Sequence, residues 1–477
     1  MNAMSNAPCV NPAMMLPFGT LLAAIALAPL FFSDWWGRHY PKIVGLLALA
    51  VVVYYFAGLH DGGRVGRTAR EYFSFIALVG SLFVVSGGIH INVKGQATPK
   101  ANVLFLLVGA LAANLLGTTG ASMLLIRPWL RMNKYRITGL HVMFFIFIVS
   151  NVGGCLTPVG DPPLFLGYLM GVPFWWVAAH GFLIWAVGVG TLLLMFYAVD
   201  SYNYQRASKT VRLEETQAGE QWRFDGLINI LFLAVILAAV FIQEPPFLRE
   251  GLMLAAAAAS YFTTPKPVHE SNHFNLQPIK EVAILFIGIF ATMMPALDWL
   301  QANAGRINSP SMAFFYAGSG CLSSVLDNAP TYLCFLQAVC GRFIHPDSTA
   351  QLSQLLHTHG AGLAAVTGAH AQEIRGAFAA LRQFHPATLA SGFASTDQIQ
   401  VAYLVGNQNL GAYILAVSIG SVFFGANTYI GNGPNFMVKA IADHQKVHTP
   451  SFLAYIFKYT LPFMLPMLLL VWWLFFQ

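Results

Sequence analysis

The chain has 477 residues, of which 57% are hydrophobic and only 9% are charged, whereas a soluble protein carries roughly 25% charged residues. Apolar runs of about 17–25 residues recur along nearly its whole length, which predicts an all-α polytopic membrane protein. The net charge of +6 is spread over short loops without a basic block or a base-reading motif, so no nucleic-acid partner is expected. The cysteines lack zinc-site spacing, and no cofactor is expected.

The first half of the chain contains uninterrupted and interrupted apolar segments. Uninterrupted spans are predicted at 16–32, 43–59, 72–91 and 174–199. The segment 103–130 has small polar residues at its centre, and each arm is too short to cross a bilayer, so it predicts a re-entrant hairpin. The segment 137–170 is broken at Ser150–Pro163, where glycines, prolines and a carboxylate interrupt an otherwise apolar helix. Such a break is tolerated in a membrane only inside protein or beside a cavity.

A polar, charged stretch at 200–223 is followed by a restart of the same pattern. Uninterrupted spans are predicted at 224–242, 247–262, 282–297 and 452–475. A second re-entrant hairpin is predicted at 311–344 and a second broken helix at 401–442, with a long insert at 345–397 between them.

The two halves therefore match segment by segment, and the match extends to short motifs. Thr157–Asp161 aligns with Thr428–Asn432, since both contain Thr, a β-branched residue, Gly, and an acid or its amide in the same order. Paired, similarly interrupted segments point to a transporter site built from repeats. We predict two repeats, 1–199 and 224–477, each with five transmembrane helices, one of them broken, and one re-entrant hairpin. Because five is odd, the second repeat must be inverted.

Loop charges predict the orientation of the chain. Lys and Arg are more numerous in loops on the side of the linker, which places that linker in the cytoplasm and both termini outside. The cluster Arg64, Arg67 and Arg70 lies on the opposite side and does not follow this rule.

Asp161 and Asp327 are the two acids embedded in broken apolar segments. A carboxylate in such surroundings must be protonated, paired or bound to a cation, which is the choice that a proton-coupled cation exchanger needs. Two structural alternatives stay open at this point. Asp161 precedes Pro162 and Pro163, so it could simply cap a helix. Asp327 with Asn328 could form a hydrogen bond between hairpin and scaffold.

Hydroxyl and amide oxygens surround the two acids in both halves, and oxygen is the ligand type of Na⁺ sites. We expect Asp161 and Asp327 to converge on one cation site, with Asp327 opposite Thr119 or nearby, although ordinary helix–helix hydrogen bonding could also explain each neutral residue. The candidate ligands are Asp161, Asp327, Asn328, Thr157, Thr119, Ser122, Ser324, Thr428, Asn427 and Asn432, with Thr118 also nearby.

The insert at 345–397 is harder to interpret. His357 and His359 form one weak metal signal, and a solvated loop is the preferred interpretation. Within the insert, Ile374, Phe378 and Leu381 recur at helical spacing, which predicts a short amphipathic helix at the membrane surface or against the hairpin.

These residues resemble a known group. The paired hairpins and broken helices, with Leu156–Pro163 and Leu326–Thr331, are similar to the ion transporter superfamily, and within it to NhaD-type sodium/proton antiporters and the citrate-transporter-like branch beside them. The resemblance covers nearly the whole chain. It implies a homodimer, an elevator-type motion of a transport domain against a scaffold, and cation coordination near Asp161 and Asp327. The tips of both hairpins lack the Ser-Asn-Thr triplet of the dicarboxylate branch, which argues against a di- or tricarboxylate substrate.

The sequence thus predicts a secondary transporter, not an enzyme, that exchanges Na⁺ or Li⁺ for H⁺ across a bacterial-type inner membrane. The alternative is a cation-coupled transporter of citrate or another organic or oxyanion substrate. Expected partners are membrane lipid, small cations and a second copy of the chain.

Overall fold

The computed structural model describes residues 10–92, 97–206, 223–242, 244–272, 274–306 and 310–477. Most of the predicted linker at 200–223 lies outside these ranges. Its first residues are described and are helical, because the preceding helix continues to Arg206.

Helices form nearly all of the first half. After a short 3₁₀ turn at Pro12–Met15, they are α1 Leu16–Phe31, α2 Ser33–Val53 with a π-helical end at Tyr54–Gly58, α3 Gly62–Gly87, α4 Pro99–Met132, α5 Gly139–Ile148, α6 Pro162–Met170 and α7 Trp176–Arg206.

The second half is helical as well. Its helices are α8 Ile228–Val240, α9 Leu248–Thr263, α10 Lys266–Ser271, α11 Gln277–Asn303, α12 Met312–Ser323, α13 Asn328–Phe343, α14 Pro346–His357, α15 Ala371–Phe384, α16 Pro386–Ser391, α17 Thr396–Val405, α18 Gln408–Phe424, α19 Gly433–His444, α20 Phe452–Tyr455 and, after a π-helical stretch at Ile456–Met464, α21 Leu465–Phe475.

Within the described ranges, eight helices are long and apolar enough to cross a membrane, so the chain is an all-α, multi-pass membrane protein. One small element departs from the all-α prediction. Strands β1 (His90–Asn92) and β2 (Arg223–Asp225) form an antiparallel pair in which Ile91 lies opposite Phe224.

Helix α4 is a hairpin rather than one straight helix. Gly117 at its centre has φ 74° and ψ 153°, a conformation that glycine adopts without a steric penalty. Asn102 near one end donates from Nδ2 to Oδ1 of Asn133 at the other end, at 2.9 Å. In a straight helix these residues would be about 46 Å apart. The chain therefore reverses at Gly117, and we call α4 the first hairpin.

Helices α12 and α13 form the second hairpin. The ring of Phe315 in α12 lies 6.3 Å from that of Phe335 and 6.4 Å from that of Phe343, both in α13. The reversal occurs between Ser323 and Asn328, where the carboxylate of Asp327 accepts a hydrogen bond from the Ala329 amide at 3.1 Å and caps α13.

Each half also contains a broken helix. The first broken helix consists of α5 and α6, and the second consists of α18 and α19. The second begins at Gln408, not at the predicted residue 401. Helix α17 ends at Val405 because Gly406 packs its backbone against Gly376 and the Asn407 side chain caps α18.

Most of the insert is helical. His357 and His359 are exposed at the end of one of its helices, which agrees with a solvated position for these two histidines. Helices α14, α15 and α16 occupy most of it, and the predicted apolar stripe of Ile374, Phe378 and Leu381 is buried where α15 packs against α17. His359 contacts the Leu389 carbonyl through Nδ1 at 3.0 Å. The described residues contain no group of three or more His, Cys, Asp or Glu side chains able to hold a metal ion.

A buried ion pair holds the base of the first hairpin. Arg136 contacts both carboxylate oxygens of Asp200, at 3.0 Å for Nη2 and Oδ2. Asn102 donates to Oδ2 of the same carboxylate at 3.0 Å, and Nε2 of His141 lies 3.2 Å from Oδ1. Asp200 is completely buried. This network ties α7 to both ends of the first hairpin and to α5.

We expect Arg136→Gln to destabilise the protein by about 3–5 kcal/mol, because it leaves the Asp200 charge buried without its cation. Thermal unfolding in detergent measures the loss. The double variant Arg136→Gln/Asp200→Asn should recover most of it, since no uncompensated charge remains. A double variant no more stable than the single one would contradict this account.

Candidate cation-binding site

Asp161 is 1% exposed, and three neutral side chains donate to its carboxylate. Thr118 Oγ1 lies 2.8 Å from Oδ1, Asn328 Nδ2 lies 2.8 Å from Oδ2, and Asn432 Nδ2 lies 3.2 Å from Oδ1. These residues come from the two hairpins and the two broken helices. One carboxylate therefore connects all four interrupted elements of the chain.

Asp161 occupies the N-cap position of α6, but its carboxylate does not cap the helix. A capping side chain accepts from the second or third backbone N–H of its helix, and Pro162 and Pro163 leave the first two positions without one. The carboxylate is turned instead toward Thr118, Asn328 and Asn432. The capping alternative is therefore wrong for the Asp161 side chain, whereas Asp327 does cap its helix.

A second layer of asparagines supports the partners of Asp161. Asn432 Nδ2 also lies 3.1 Å from Oδ1 of Asn151, and Asn151 donates to Oδ1 of Asn435 at 2.7 Å. Asn435 in turn donates to the carbonyls of Gly425 and Thr428 at 2.8 and 2.9 Å. Sequence reasoning missed Asn151 and Asn435 as site residues. Both lie within the predicted breaks, where any polar side chain must find a partner.

The two breaks are held against their hairpins by corresponding hydrogen bonds. Thr157 Oγ1 donates to the Asn114 carbonyl at 2.6 Å, and Thr428 Oγ1 donates to the Ser324 carbonyl at 2.6 Å. Each threonine hydroxyl also accepts from the amide of the glycine three residues later, at 3.1 Å in both cases.

A further pair of bonds follows the same correspondence. Asn114 Nδ2 donates to the Gly153 carbonyl at 2.7 Å, and Ser324 Oγ donates to the Phe424 carbonyl at 3.2 Å. Corresponding positions in the two halves therefore form corresponding hydrogen bonds.

Several predicted ligands form hydrogen bonds that hold the unwound segments in place. The hydroxyls of Thr157, Thr428 and Ser324 satisfy backbone groups of unwound segments, which have no water to bind in a membrane interior. Asn427 Nδ2 donates to Ser324 Oγ at 2.9 Å. Ser122 Oγ pairs with Ser150 Oγ at 2.7 Å. Of the ten predicted site residues, Asn328 and Asn432 contact the Asp161 carboxylate directly.

Thr118, and not the predicted ligand Thr119, donates to the Asp161 carboxylate. Successive residues on a helix point about 100° apart, so only one of the two threonines can face the carboxylate. Thr119 lines a small cavity of about 20 Å³ between the hairpin tip and α3, beside Leu78 and Leu82.

Comparison with known families gives an independent result. Residues 8–476 match the family described as "Putative citrate transport". The chain belongs to this family. The family is part of the ion transporter superfamily, and membership makes the protein a secondary transporter. No match is found among curated proteins.

The site of this family member consists of acidic and neutral polar side chains. Neither Asp161 nor Asp327 forms an ion pair with a basic residue in the part of the chain that the structure describes. Asn328 is fully buried, and its Oδ1 atom has no hydrogen-bond donor. The Oδ1 atom of Asn427 is also buried without a donor. A buried acceptor without a partner beside a buried carboxylate is a favourable environment for a cation or a proton.

Proposed function

We propose that this protein is a secondary active transporter that exchanges Na⁺ or Li⁺ for H⁺ by alternating access. The observation that carries the proposal is the surroundings of Asp161, a fully buried carboxylate whose contacts are all neutral. Such a carboxylate is stable in a low-dielectric interior only when a proton or a cation neutralises it. Competition between the two couples their movements.

The neighbours of Asp161 are suited to this exchange. All three now donate hydrogen bonds to the carboxylate. When a cation binds, the Thr118 hydroxyl can present its lone pairs, and rotation of the Asn328 amide would bring its partnerless Oδ1 toward the ion. Asp327, next to Asn328, is proposed as a second proton carrier. The other predicted residues remain candidates for the site, and most of them would act by positioning its loops. They are Asn427, Asn432, Ser324, Ser122, Thr119, Thr157 and Thr428.

We propose that the site lies between two inverted repeats, 1–199 and 224–477, and works by an elevator-type movement in a homodimer of a bacterial-type inner membrane. The corresponding hydrogen bonds of the two breaks support the repeats. Because hairpins and broken helices of both repeats contribute contacts to Asp161, loading or emptying the site changes the forces on all of them together.

Citrate transport coupled to a cation is the second candidate, favoured by the description of the family. A tricarboxylate needs basic partners, most often arginine. Arg127, on the second arm of the first hairpin, lies nine residues beyond Thr118, about 14 Å along the helix. No basic residue contacts Asp161 within the described ranges. The site itself is therefore better suited to a small cation, and under the citrate hypothesis it would hold the coupling ion.

Transport in proteoliposomes separates the two candidates. With a pH gradient imposed, we expect Na⁺ or Li⁺ added outside to release luminal protons, with K⁺ as the control cation. Citrate at the same ionic strength should have no effect. Uptake of labelled citrate without Na⁺-driven proton movement would overturn the antiport proposal and favour the second candidate.

A further inference from the structure

A cavity of about 110 Å³ lies where the end of α8, the start of α9 and the first half of α3 meet. Asp161 does not line it. The residues that matter in its wall are Arg70 and Ser74 of α3, Glu244 and Phe247 of the α8–α9 connection, and Arg249 and Glu250 of α9. Because α8 ends and α9 begins beside it, the cavity is at the level of a membrane surface rather than in the bilayer core.

Part of the wall is a closed network. Glu250 is 3% exposed, and its Oε1 accepts from Ser74 Oγ at 2.5 Å and from Arg249 Nε and Nη2 at 2.9 and 2.7 Å. The charges of Arg249 and Glu250 therefore neutralise each other. This network fixes the first turn of α9 against α3 and forms a rigid floor.

The other two charged residues of the cavity are exposed to solvent. Arg70 and Glu244 are exposed, and neither forms an ion pair among the residues that the structure describes. The Arg70 guanidinium carbon lies 5.6 Å from the centre of the Phe247 ring, which holds the side chain at the cavity. The cavity thus presents one free positive and one free negative charge, a pattern complementary to a zwitterion.

The surroundings of the cavity are apolar. Phe73, Phe247 and Leu248 are exposed large hydrophobic residues beside it, and the rings of Phe73 and Phe247 are 5.9 Å apart. Two of the basic residues that break the charge rule have local roles. Arg64 pairs with Asp298 at 3.1 Å, and Arg70 faces the cavity.

We propose that the cavity binds a zwitterionic phospholipid headgroup that carries a primary ammonium, the phosphoethanolamine group. Arg70 receives the phosphate, because guanidinium groups bind phosphate oxygens through several N–H donors. Glu244 receives the ammonium, and the acyl chains lie along Phe73, Phe247 and Leu248. The lipid would seal α3 to α9 at the membrane surface. The Glu244 carboxylate adds selectivity for a lipid with an amine.

Native mass spectrometry of the full chain, delipidated in detergent, tests the proposal. The probes are phosphatidylethanolamine, phosphatidylcholine, which lacks ammonium N–H donors, and phosphatidylglycerol, which lacks the cation. We expect the ethanolamine lipid to be retained best. Arg70→Gln and Glu244→Gln should each weaken its binding about tenfold, the effect of losing one charged contact. Arg67→Gln, an exposed arginine of α3 that does not line the cavity, is the matched control.

Four outcomes would overturn the assignment. Equal binding of all three lipids, or unchanged binding in Arg70→Gln, would show that the cavity is not a headgroup site. Phosphatidylglycerol binding best would show a simple anion site without a role for Glu244. If soluble phosphoethanolamine displaces the lipid at equal concentration, the acyl chains contribute nothing and the ligand is not a lipid.

Discussion

Asp161→Asn should abolish cation/proton exchange while leaving the protein folded. The amide has nearly the shape of the carboxylate and can still accept from Thr118 through its oxygen, so the packing of the four elements changes little. It cannot carry a charge, and so it can neither hold a cation tightly nor release a proton. The variant site has no negative charge to hold the cation, so we expect the exchange rate to fall roughly a hundredfold or more, equivalent to about 3 kcal/mol.

The measurement is Na⁺-dependent proton release from proteoliposomes, with thermal unfolding of the same preparation as the folding control. Exchange at the native rate in a folded Asp161→Asn protein would remove Asp161 from the mechanism. Asp327→Asn is the matched comparison. Asparagine is also a good N-cap, so α13 keeps its start, and Asp327 is only half-buried without a hydrogen bond to Asp161. We expect a smaller loss, about tenfold.

Gly160→Ala should have the second large effect, on both stability and transport. A Cβ atom at Gly160 would lie 2.1 Å from the Gly154 carbonyl oxygen and 3.2 Å from Oδ1 of Asn114. Both are fixed, since one is backbone and the other accepts from the Leu156 amide at 2.9 Å. The loop must shift and carry Asp161 with it. We expect about 1–3 kcal/mol of destabilisation and loss of exchange.

Two glycines of the second break serve as comparison and control. Gly431 occupies the corresponding position, and a Cβ there would lie 2.6 Å from the Gly425 carbonyl oxygen, so Gly431→Ala should behave like Gly160→Ala. Gly433 has no atom within 4 Å of its Cβ position. Gly433→Ala should therefore unfold at the native temperature and transport normally. If Gly431→Ala and Gly433→Ala reduced stability and transport equally, these glycines would provide chain flexibility and not close packing.

The positions of the interrupted segments were readable from the sequence for a simple reason. In a membrane, backbone groups must be satisfied within the segment, so glycine, proline and polar residues inside an apolar run mark the places where a helix stops. The breaks at Ser150–Pro163 and Gly425–Asn435, and the reversal at Gly117, are of this kind. The apolar stripe of the insert predicted the helix that the structure shows, but not its packing against α17, because the sequence pattern alone does not identify the partner of a helix.

The sequence alone determined the class of protein and the places where its helices break. It also identified Asp161 as an acid that needs a proton, a partner or a cation inside a membrane. The tertiary structure decided the partners of that acid. Thr118, Asn328 and Asn432 lie 43, 167 and 271 residues away from it, so the sequence could name them only within a larger set of candidates. Which threonine faces the carboxylate, and that Pro162 and Pro163 turn it away from its own helix, follow from the packing of distant segments.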